Sequence, residues 1–291
     1  MTLKSKLIQW GIKQYFKHIN GSIKKIEKRQ YKLFKFDPPK KILKNLIVER
    51  ITICNYPCFI IKPHSQQSNS LMYIHGGGFI NEITKIHYKF IYRLIKETGA
   101  TVYVPIYPLA RKDFSNIEPS LTMFIEIYKI MIAKYSKISL MGDSAGGSFV
   151  LALAQMIKKQ QLKIPNEVIA ISPCVKACKT SIDETKKYAN NDAYLPWPCL
   201  YIALEWTIGF NDWKHYKFSP IYGNSKDIGR ISIFYGSHEA FLKDGEEYHQ
   251  DLLKQDIKHI FEVCQDMFHV FVLFKIKEAE PYFAQICKLI K

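Results

Sequence analysis

The segment around Ser144 constrains the fold more than any other part of the chain. An apolar run ends in Gly142-Asp143-Ser144-Ala145-Gly146 and continues as an apolar helix. A Gly-x-Ser-x-Gly turn between a strand and a helix exposes the serine hydroxyl on a strained turn, where side chains in place of Gly142 and Gly146 would clash. The helix N-terminus behind the serine favours developing negative charge. The segment therefore predicts that Ser144 is a nucleophile, supported by Gly142, Asp143 and Gly146.

From about residue 46 onward, short β-branched or aromatic runs alternate with longer helical stretches. This alternation predicts an α/β fold whose mostly parallel, eight-stranded sheet is covered by helices on both faces. The eight runs are Ile47–Ile53, Cys58–Ile61, Leu71–Ile74, Thr101–Pro105, Lys137–Met141, Glu167–Ser172, Arg230–Tyr235 and Ile257–Val263. Helices are predicted near residues 84–98, 116–135, 144–160, 244–255 and 277–290.

Three consecutive glycines follow the third of these runs, directly after His75. Consecutive glycines are costly in backbone entropy, so they indicate a need for bare backbone N–H groups. The sequence predicts that the N–H groups of Gly76 and Gly77, together with that of Ala145, form an oxyanion hole. His75 is expected to order this loop rather than to act as a base, and Gly78 to support it.

The positive charge of the chain is concentrated near its N-terminus. The net charge is +16, and residues 1–50 hold fourteen lysines and arginines against three acidic residues. Because no nucleic-acid-binding motif accompanies this charge, we expect no nucleic-acid partner. The seven cysteines form no CxxC pair and match no common zinc framework, which predicts reduced thiols, no metal site and a cytoplasmic location. No signal peptide or membrane-spanning stretch is predicted.

Two segments stand apart from the strand–helix alternation. Apolar residues recur at helical spacing over residues 3–29, and residues 174–225 contain many aromatic residues but no clean strand. The aromatic residues either join the two segments together or wall an apolar pocket over the carboxyl edge of the sheet. These two segments, residues 1–45 and 174–225, are therefore set apart from a core of residues 46–173 and 226–291.

The motifs His75-Gly-Gly-Gly-Phe79 and Gly142-Asp-Ser-Ala-Gly-Gly147 resemble those of the hormone-sensitive-lipase-like branch of the α/β-hydrolases, which are carboxylesterases and lipases. The resemblance extends over about residues 70–275. It includes Pro105-Ile-Tyr-Pro-Leu-Ala110, although Arg111 stands where the family commonly has proline. It implies the α/β-hydrolase fold, an α-helical cap formed here by residues 1–45 and 174–225, and a catalytic triad in the chain order serine, acid, histidine.

That order places the acid and the histidine in the last third of the chain. The family's acid, usually Asp, lies three residues after a glycine equivalent to Gly236, and this position is Glu239. Asp244 is an alternative, but it falls at the start of a helix, where an acid is expected as a cap. We favour Glu239. His269 matches the family's histidine site, with Val270 in place of a glycine.

The resemblance implies a serine carboxylesterase that needs no cofactor or metal. It would hydrolyse small-molecule esters, with short to medium acyl chains, through an acyl-enzyme on Ser144. Because His269 must be neutral to act as a base, we expect activity to fall below roughly pH 6 to 7. A deacetylase or amidase with the same triad, and a non-catalytic protein that binds hydrophobic ligands, are the alternatives.

The sequence does not decide whether the protein forms a homodimer. It also leaves open whether the basic N-terminal helix contacts an anionic membrane surface. The interpretation that we favour is a cap helix whose apolar face packs on the lid while its lysines are solvated.

Overall fold

The structure, a computed structural model, describes residues 1–20, 37–65, 68–111, 116–177, 192 and 213–291. The strands are β1 (Ile47–Ile53), β2 (Tyr56–Lys62), β3 (Asn69–Ile74), β4 (Thr101–Pro105), β5 (Lys137–Asp143), β6 (Glu167–Ile171), β7 (Arg230–Gly236) and β8 (His259–Cys264). The α-helices of the described residues are α1 (Leu3–Asn20), α2 (Lys85–Thr98), α3 (Glu118–Ile132), α4 (Ala145–Lys159), α5 (Leu242–Lys254) and α6 (Glu280–Ile290).

The eight strands form one sheet in the order β1-β2-β4-β3-β5-β6-β7-β8. β2 pairs antiparallel with both β1 and β4, and every other neighbouring pair is parallel. The predicted mostly parallel α/β sheet is therefore confirmed. From β3 the chain crosses to β4 on one side and later to β5 on the other, so a topological switch point lies at the carboxyl ends of β3 and β5. Open α/β sheets bind their ligands at such a point.

The helices cover both faces of the sheet, as predicted. Side chains alternate between the faces along β3, since Met72 belongs to the apolar cluster that includes residues of α3, α4 and α5, whereas Tyr73 belongs to the cluster that includes residues of α2 and α6. Both faces of the central strands are therefore buried. This explains why these strands read as nearly continuous apolar runs rather than as alternating ones.

The ends of the elements differ from the predicted ones by a few residues. β5 continues to Asp143, so the strand itself carries Gly142 and Asp143 to the turn. α2 begins after Thr84, whose side chain and that of His87 form a reciprocal capping box, and ends at Gly99 with φ 68°.

The predicted cap lies largely outside the described residues. α1 covers the first part of the helical pattern predicted over residues 3–29, and residues 21–36 and 178–191 are not described. The same holds for residues 193–212, which include most of the predicted cap aromatics. The division into core and cap therefore stays a prediction. In the part of the chain that the structure describes, no helix is both long and apolar enough to cross a bilayer.

Candidate active site

Ser144 lies on the sharp turn between β5 and α4. Its φ of 52° and ψ of −122° are strained for a residue with a side chain, and its N–H donates to the carbonyl oxygen of Ile171 at 2.7 Å. A Cβ atom on Gly146 would overlap the carbonyl oxygen of Ile74 at the end of β3. The turn therefore packs directly against the neighbouring strand end, which explains the glycine at this position.

The predicted triad side chains form one chain of hydrogen bonds. Ser144 Oγ lies 2.8 Å from His269 Nε2, and His269 Nδ1 lies 2.8 Å from Glu239 Oε2. A carboxylate can only accept, so Nδ1 carries the proton and Nε2 is left to accept from the serine hydroxyl. Ser144 is 8% exposed and His269 is fully buried. The serine, the general base and the group that orients the base thus have the geometry that nucleophilic acyl transfer requires.

Glu239 is held by the end of its own strand, β7, and by the loop after β6. Its Oε1 accepts from the Gly236 N–H at 2.5 Å and from the Ser172 hydroxyl at 2.9 Å. Ser172 Oγ in turn accepts from the Val270 N–H at 3.0 Å, next to the histidine. Ser172 follows β6, so one hydroxyl connects the acid loop after β7 with the histidine loop after β8.

Burial and pairing shift the pKa values of the acid and the histidine. Burial raises the pKa of the Glu239 carboxyl, and the hydrogen bonds from His269 and Gly236 hold that rise back. Burial by itself would lower the pKa of His269, but the hydrogen bond and the negative charge of Glu239 outweigh it. The pKa of His269 is therefore raised above its ordinary value.

The carboxylate of Asp143 connects the serine turn with the glycine loop after β3. Asp143 Oδ1 accepts from the Tyr73 hydroxyl at 2.5 Å and from the Gly76 N–H at 3.1 Å, and Oδ2 lies 3.3 Å from His87 Nε2. His87 Nδ1 accepts from the Thr84 N–H at 2.9 Å, so the ring's proton is on Nε2 and points at Asp143. Burial would raise the pKa of Asp143, but His87 and Tyr73 outweigh it and lower the pKa.

The hydrogen bond that the Gly76 N–H donates corrects the prediction that this group belongs to the oxyanion hole. Because this N–H donates to Asp143, it is not available to an oxyanion, and Gly76 instead anchors the loop. The N–H groups of Gly77, Gly78 and Ala145 donate to no other described residue. Gly77 has φ 132° and Gly78 has φ 62°, conformations that favour glycine.

The contacts of His75 favour its predicted loop-ordering role. Its Nδ1 lies 2.7 Å from the Gly76 carbonyl oxygen, and its ring stacks on Tyr107 with centroids 4.4 Å apart. The Tyr107 hydroxyl donates to the His75 carbonyl oxygen at 2.7 Å. Burial, with the nearby His87, lowers the pKa of His75 to about 3, so the ring is neutral at physiological pH.

Several residues of the site were not predicted from the sequence. Ser172, Tyr73 and His87 support the triad and the glycine loop, and Asp192 accepts from the Ala240 N–H at 3.2 Å beside the acid. His87 lies three residues after the N-cap of α2, a spacing typical of a capping box, and Ser172 lies directly before Pro173 at the end of β6. No local pattern distinguishes Tyr73 or Asp192.

Comparison with known proteins places this geometry in a family. The model of an alpha/beta hydrolase fold family matches residues 71–273, which is more than half of the chain. The chain belongs to this family. It is 25% identical to an acetyl-hydrolase of Streptomyces hygroscopicus over 72% of this chain and 70% of that protein. It is 24% identical to an esterase of Acinetobacter venetianus over 78% of this chain and 76% of that protein.

The fold comparison agrees with the family assignment. The crystal structure of a hormone-sensitive lipase from a metagenome library superposes with a TM-score of 0.79 at 20% identity, over 100% of this α/β-hydrolase and 99% of that chain. The resemblance to the hormone-sensitive-lipase-like branch is confirmed. This α/β-hydrolase is a carboxylic ester hydrolase, so the alternative of a non-catalytic binding protein is not retained.

Proposed function

We propose that this α/β-hydrolase is a serine carboxylesterase in which Ser144, His269 and Glu239 form the catalytic triad. The observation that carries the proposal is the continuous hydrogen-bonded chain from Ser144 Oγ through both ring nitrogens of His269 to Glu239 Oε2, with both steps at 2.8 Å. Few arrangements other than general-base activation of a nucleophile require a serine hydroxyl, a buried imidazole and a carboxylate in this order.

The reaction follows from the positions of the protons. His269 Nε2 takes the proton of Ser144 as Oγ attacks the ester carbonyl carbon, and Glu239 stabilises the imidazolium that forms. The tetrahedral intermediate then collapses, the bond to the alcohol oxygen breaks, and His269 gives its proton to that oxygen. Water attacks the acyl-enzyme by the same route, which releases the carboxylic acid and restores Ser144.

The oxyanion is proposed to bind to the N–H groups of Gly77, Gly78 and Ala145. The N–H of Gly76 is committed to Asp143, whereas these three donate to no other described residue. Ala145 is also the first residue of α4, and the first N–H groups of a helix have no partner within the helix. Each donor of an oxyanion hole contributes about 3 kcal/mol of transition-state stabilisation.

The proposed substrates are small-molecule esters with short to medium acyl chains. The relationship to a protein named acetyl-hydrolase supports the short end of this range. The same triad could hydrolyse an acetylated amine, so deacetylation of a small molecule is the second candidate. The cysteine pattern supports a cytoplasmic location, which is part of the proposal.

The test is hydrolysis of p-nitrophenyl esters from acetyl to palmitoyl, with acetyl p-nitroanilide as the amide. Ser144→Ala is compared with Ser139→Ala, a buried serine whose Oγ has no partner in the described residues. We expect Ser144→Ala to lower kcat by about 10⁴-fold or more and Ser139→Ala to leave it unchanged. A fully active Ser144→Ala variant would refute the triad, and faster turnover of the anilide than of any ester would favour deacetylation.

A further inference from the structure

His87 contacts both the start of α2 and the acid of the serine turn. It is the third residue after Thr84, the N-cap of α2, and its Nδ1 accepts from the Thr84 N–H at 2.9 Å. Its Nε2 lies 3.3 Å from Asp143 Oδ2, and only 3% of its surface is exposed. One rigid, buried ring therefore accepts a hydrogen bond on one side and donates one on the other.

Capping the helix does not by itself require a histidine at this position. Glutamate is a usual partner of threonine in a capping box, because its carboxylate also accepts from the N-cap N–H. In place of His87, however, glutamate would set a second buried carboxylate against that of Asp143, and the two like charges would repel each other. Histidine serves both contacts, because its second nitrogen carries a proton.

The orientation of the Asp143 carboxylate depends on this proton. Oδ1 accepts from the Tyr73 hydroxyl at 2.5 Å and from the Gly76 N–H at 3.1 Å, whereas His87 is the one hydrogen-bond donor to Oδ2 among the described residues. Asp143 is 1% exposed, so water does not readily replace a lost donor. Without His87 the carboxylate can turn about its last bond, and the Gly76 N–H must follow it or lose its acceptor.

The glycine loop packs directly on Asp143 and on the serine that follows it. A Cβ atom on Gly76 would overlap the Asp143 carboxylate and would lie 3.0 Å from Ser144 Cβ. A shift of the carboxylate therefore displaces the loop. It would also displace the N–H groups of Gly77 and Gly78, which are proposed to bind the oxyanion.

We propose that His87 is a positioning residue for ester hydrolysis: it fixes the Asp143 carboxylate, which in turn holds the glycine loop where its N–H groups meet the oxyanion. This inference rests on the proposed function. His87 acts through Asp143 and not on the substrate itself. Since the oxyanion forms only as the transition state is approached, loss of this contact lowers kcat and leaves KM nearly unchanged.

The test compares two amide side chains in place of the ring. In His87→Asn the amide oxygen can replace Nδ1 as the acceptor for the Thr84 N–H, but no donor reaches Asp143. In His87→Gln the amide nitrogen lies as many bonds from the backbone as Nε2 and can donate to Asp143. The control is Thr98→Ala, which removes a buried hydrogen bond at the far end of the same helix, from Thr98 Oγ1 to the Leu94 carbonyl oxygen at 2.7 Å.

Two quantities are measured, steady-state hydrolysis of p-nitrophenyl acetate and hydrogen–deuterium exchange of the glycine loop, residues 75–79. We expect His87→Asn to lower kcat about 10- to 100-fold with KM within about twofold of the wild type. Exchange of the loop should be about tenfold faster in the same variant. His87→Gln should return kcat and exchange to within about threefold of the wild type. Thr98→Ala should lower the unfolding midpoint and change neither quantity.

Several results would overturn the proposal. His87→Asn could leave kcat and loop exchange unchanged, or raise KM without lowering kcat. Equal losses in His87→Asn and His87→Gln would show that the donated proton does not matter. A loss in Thr98→Ala as large as in His87→Asn would show that the effect is one of stability. Absence of turnover in the wild type would instead refute the proposed function, and loop exchange, which needs no turnover, would still decide whether His87 positions the loop.

Discussion

Replacing Ser172 with alanine tests whether the acid and the histidine are held by one shared hydroxyl. Ser172 is fully buried, and its Oγ donates to Glu239 at 2.9 Å and accepts from the Val270 N–H at 3.0 Å. The substitution keeps the Cβ atom, so the strained φ of 49° is the same in both proteins. The change therefore removes the two hydrogen bonds and little else.

The expected cost can be worked out from those two bonds. A hydrogen bond to a charged group contributes about 1.5–3 kcal/mol, and a buried N–H left without a partner costs about 1–3 kcal/mol. Because the two effects overlap, we expect Ser172→Ala to lower the free energy of unfolding by about 3 kcal/mol. The unfolding midpoint should then fall by about 5–10 °C. Glu239 keeps the Gly236 N–H but loses its second donor, so we expect kcat to fall about 10- to 100-fold through misplacement of His269.

The control for this experiment is Ser232→Ala. Ser232 is equally buried, on β7, but its Oγ has no hydrogen-bond partner in the described residues. Its replacement is expected to leave kcat unchanged and stability equal or slightly higher, because an unsatisfied polar atom is removed. Thermal unfolding and steady-state hydrolysis of p-nitrophenyl acetate are measured for both variants. If Ser172→Ala and Ser232→Ala behave alike in both assays, the reasoning about the shared hydroxyl is refuted.

Three further predictions follow from the site. Since Glu239 raises the pKa of His269, kcat/KM should be lost as the pH falls through a value above the ordinary histidine pKa of about 6.5. Glu239→Gln should lower that inflection and reduce kcat by about 10⁴-fold, and a flat profile from pH 5 to 9 would contradict both statements. Asp143→Asn keeps an acceptor oxygen for the Tyr73 hydroxyl and the Gly76 N–H, but it turns an amide N–H toward His87 Nε2 and removes the negative charge. We therefore expect kcat/KM to fall about 10²-fold with the circular dichroism spectrum unchanged, and full activity would contradict the anchoring role. Gly146→Ala should abolish activity, whereas Gly11→Ala, which has open space around it, should raise helix stability by up to about 1 kcal/mol; an active Gly146→Ala variant would contradict the packing argument.

Local patterns predicted the parts of the site that lie close together in the chain. The nucleophile role of Ser144 was predicted from a glycine-bounded turn between a strand and a helix. Both elements could be predicted from the apolar runs on either side of that turn. Glu239 and His269 lie 95 and 125 residues further on, and their pairing required the chain order of a family. The local signal that favoured Glu239 was the position of Asp244 at the start of a helix, and in the structure the Glu239 carboxylate lies at hydrogen-bonding distance from His269 Nδ1.

The remaining contacts could not be predicted, because they depend on how loops from different strands meet. A row of glycines indicates bare N–H groups, but not which of them a neighbouring carboxylate will bind, and Gly76 was therefore misassigned. α1 shows the same limit, since Leu7 and Ile8 belong to one helical pattern in the sequence. The structure places Ile8 against the core and leaves Leu7 exposed, because the position of the core decides which side of the helix is covered.

The order of the strands explains why these particular loops build the site. β5, β6, β7 and β8 are neighbours in the sheet and run parallel, so their carboxyl ends lie side by side at one edge. Ser144 follows β5, Ser172 follows β6, Glu239 follows β7 and His269 follows β8. The histidine must therefore reach back across two strand ends to meet the serine, and the acid meets it on the way. Ser172 occupies the strand end between the nucleophile and the acid, where a hydroxyl can hold both loops. Glu239 has a longer side chain than the aspartate that is usual at this position of the family, and it is compatible with the triad because the Ser172 hydroxyl holds its carboxylate. Shortening it to aspartate would move the carboxylate away from at least one of its partners.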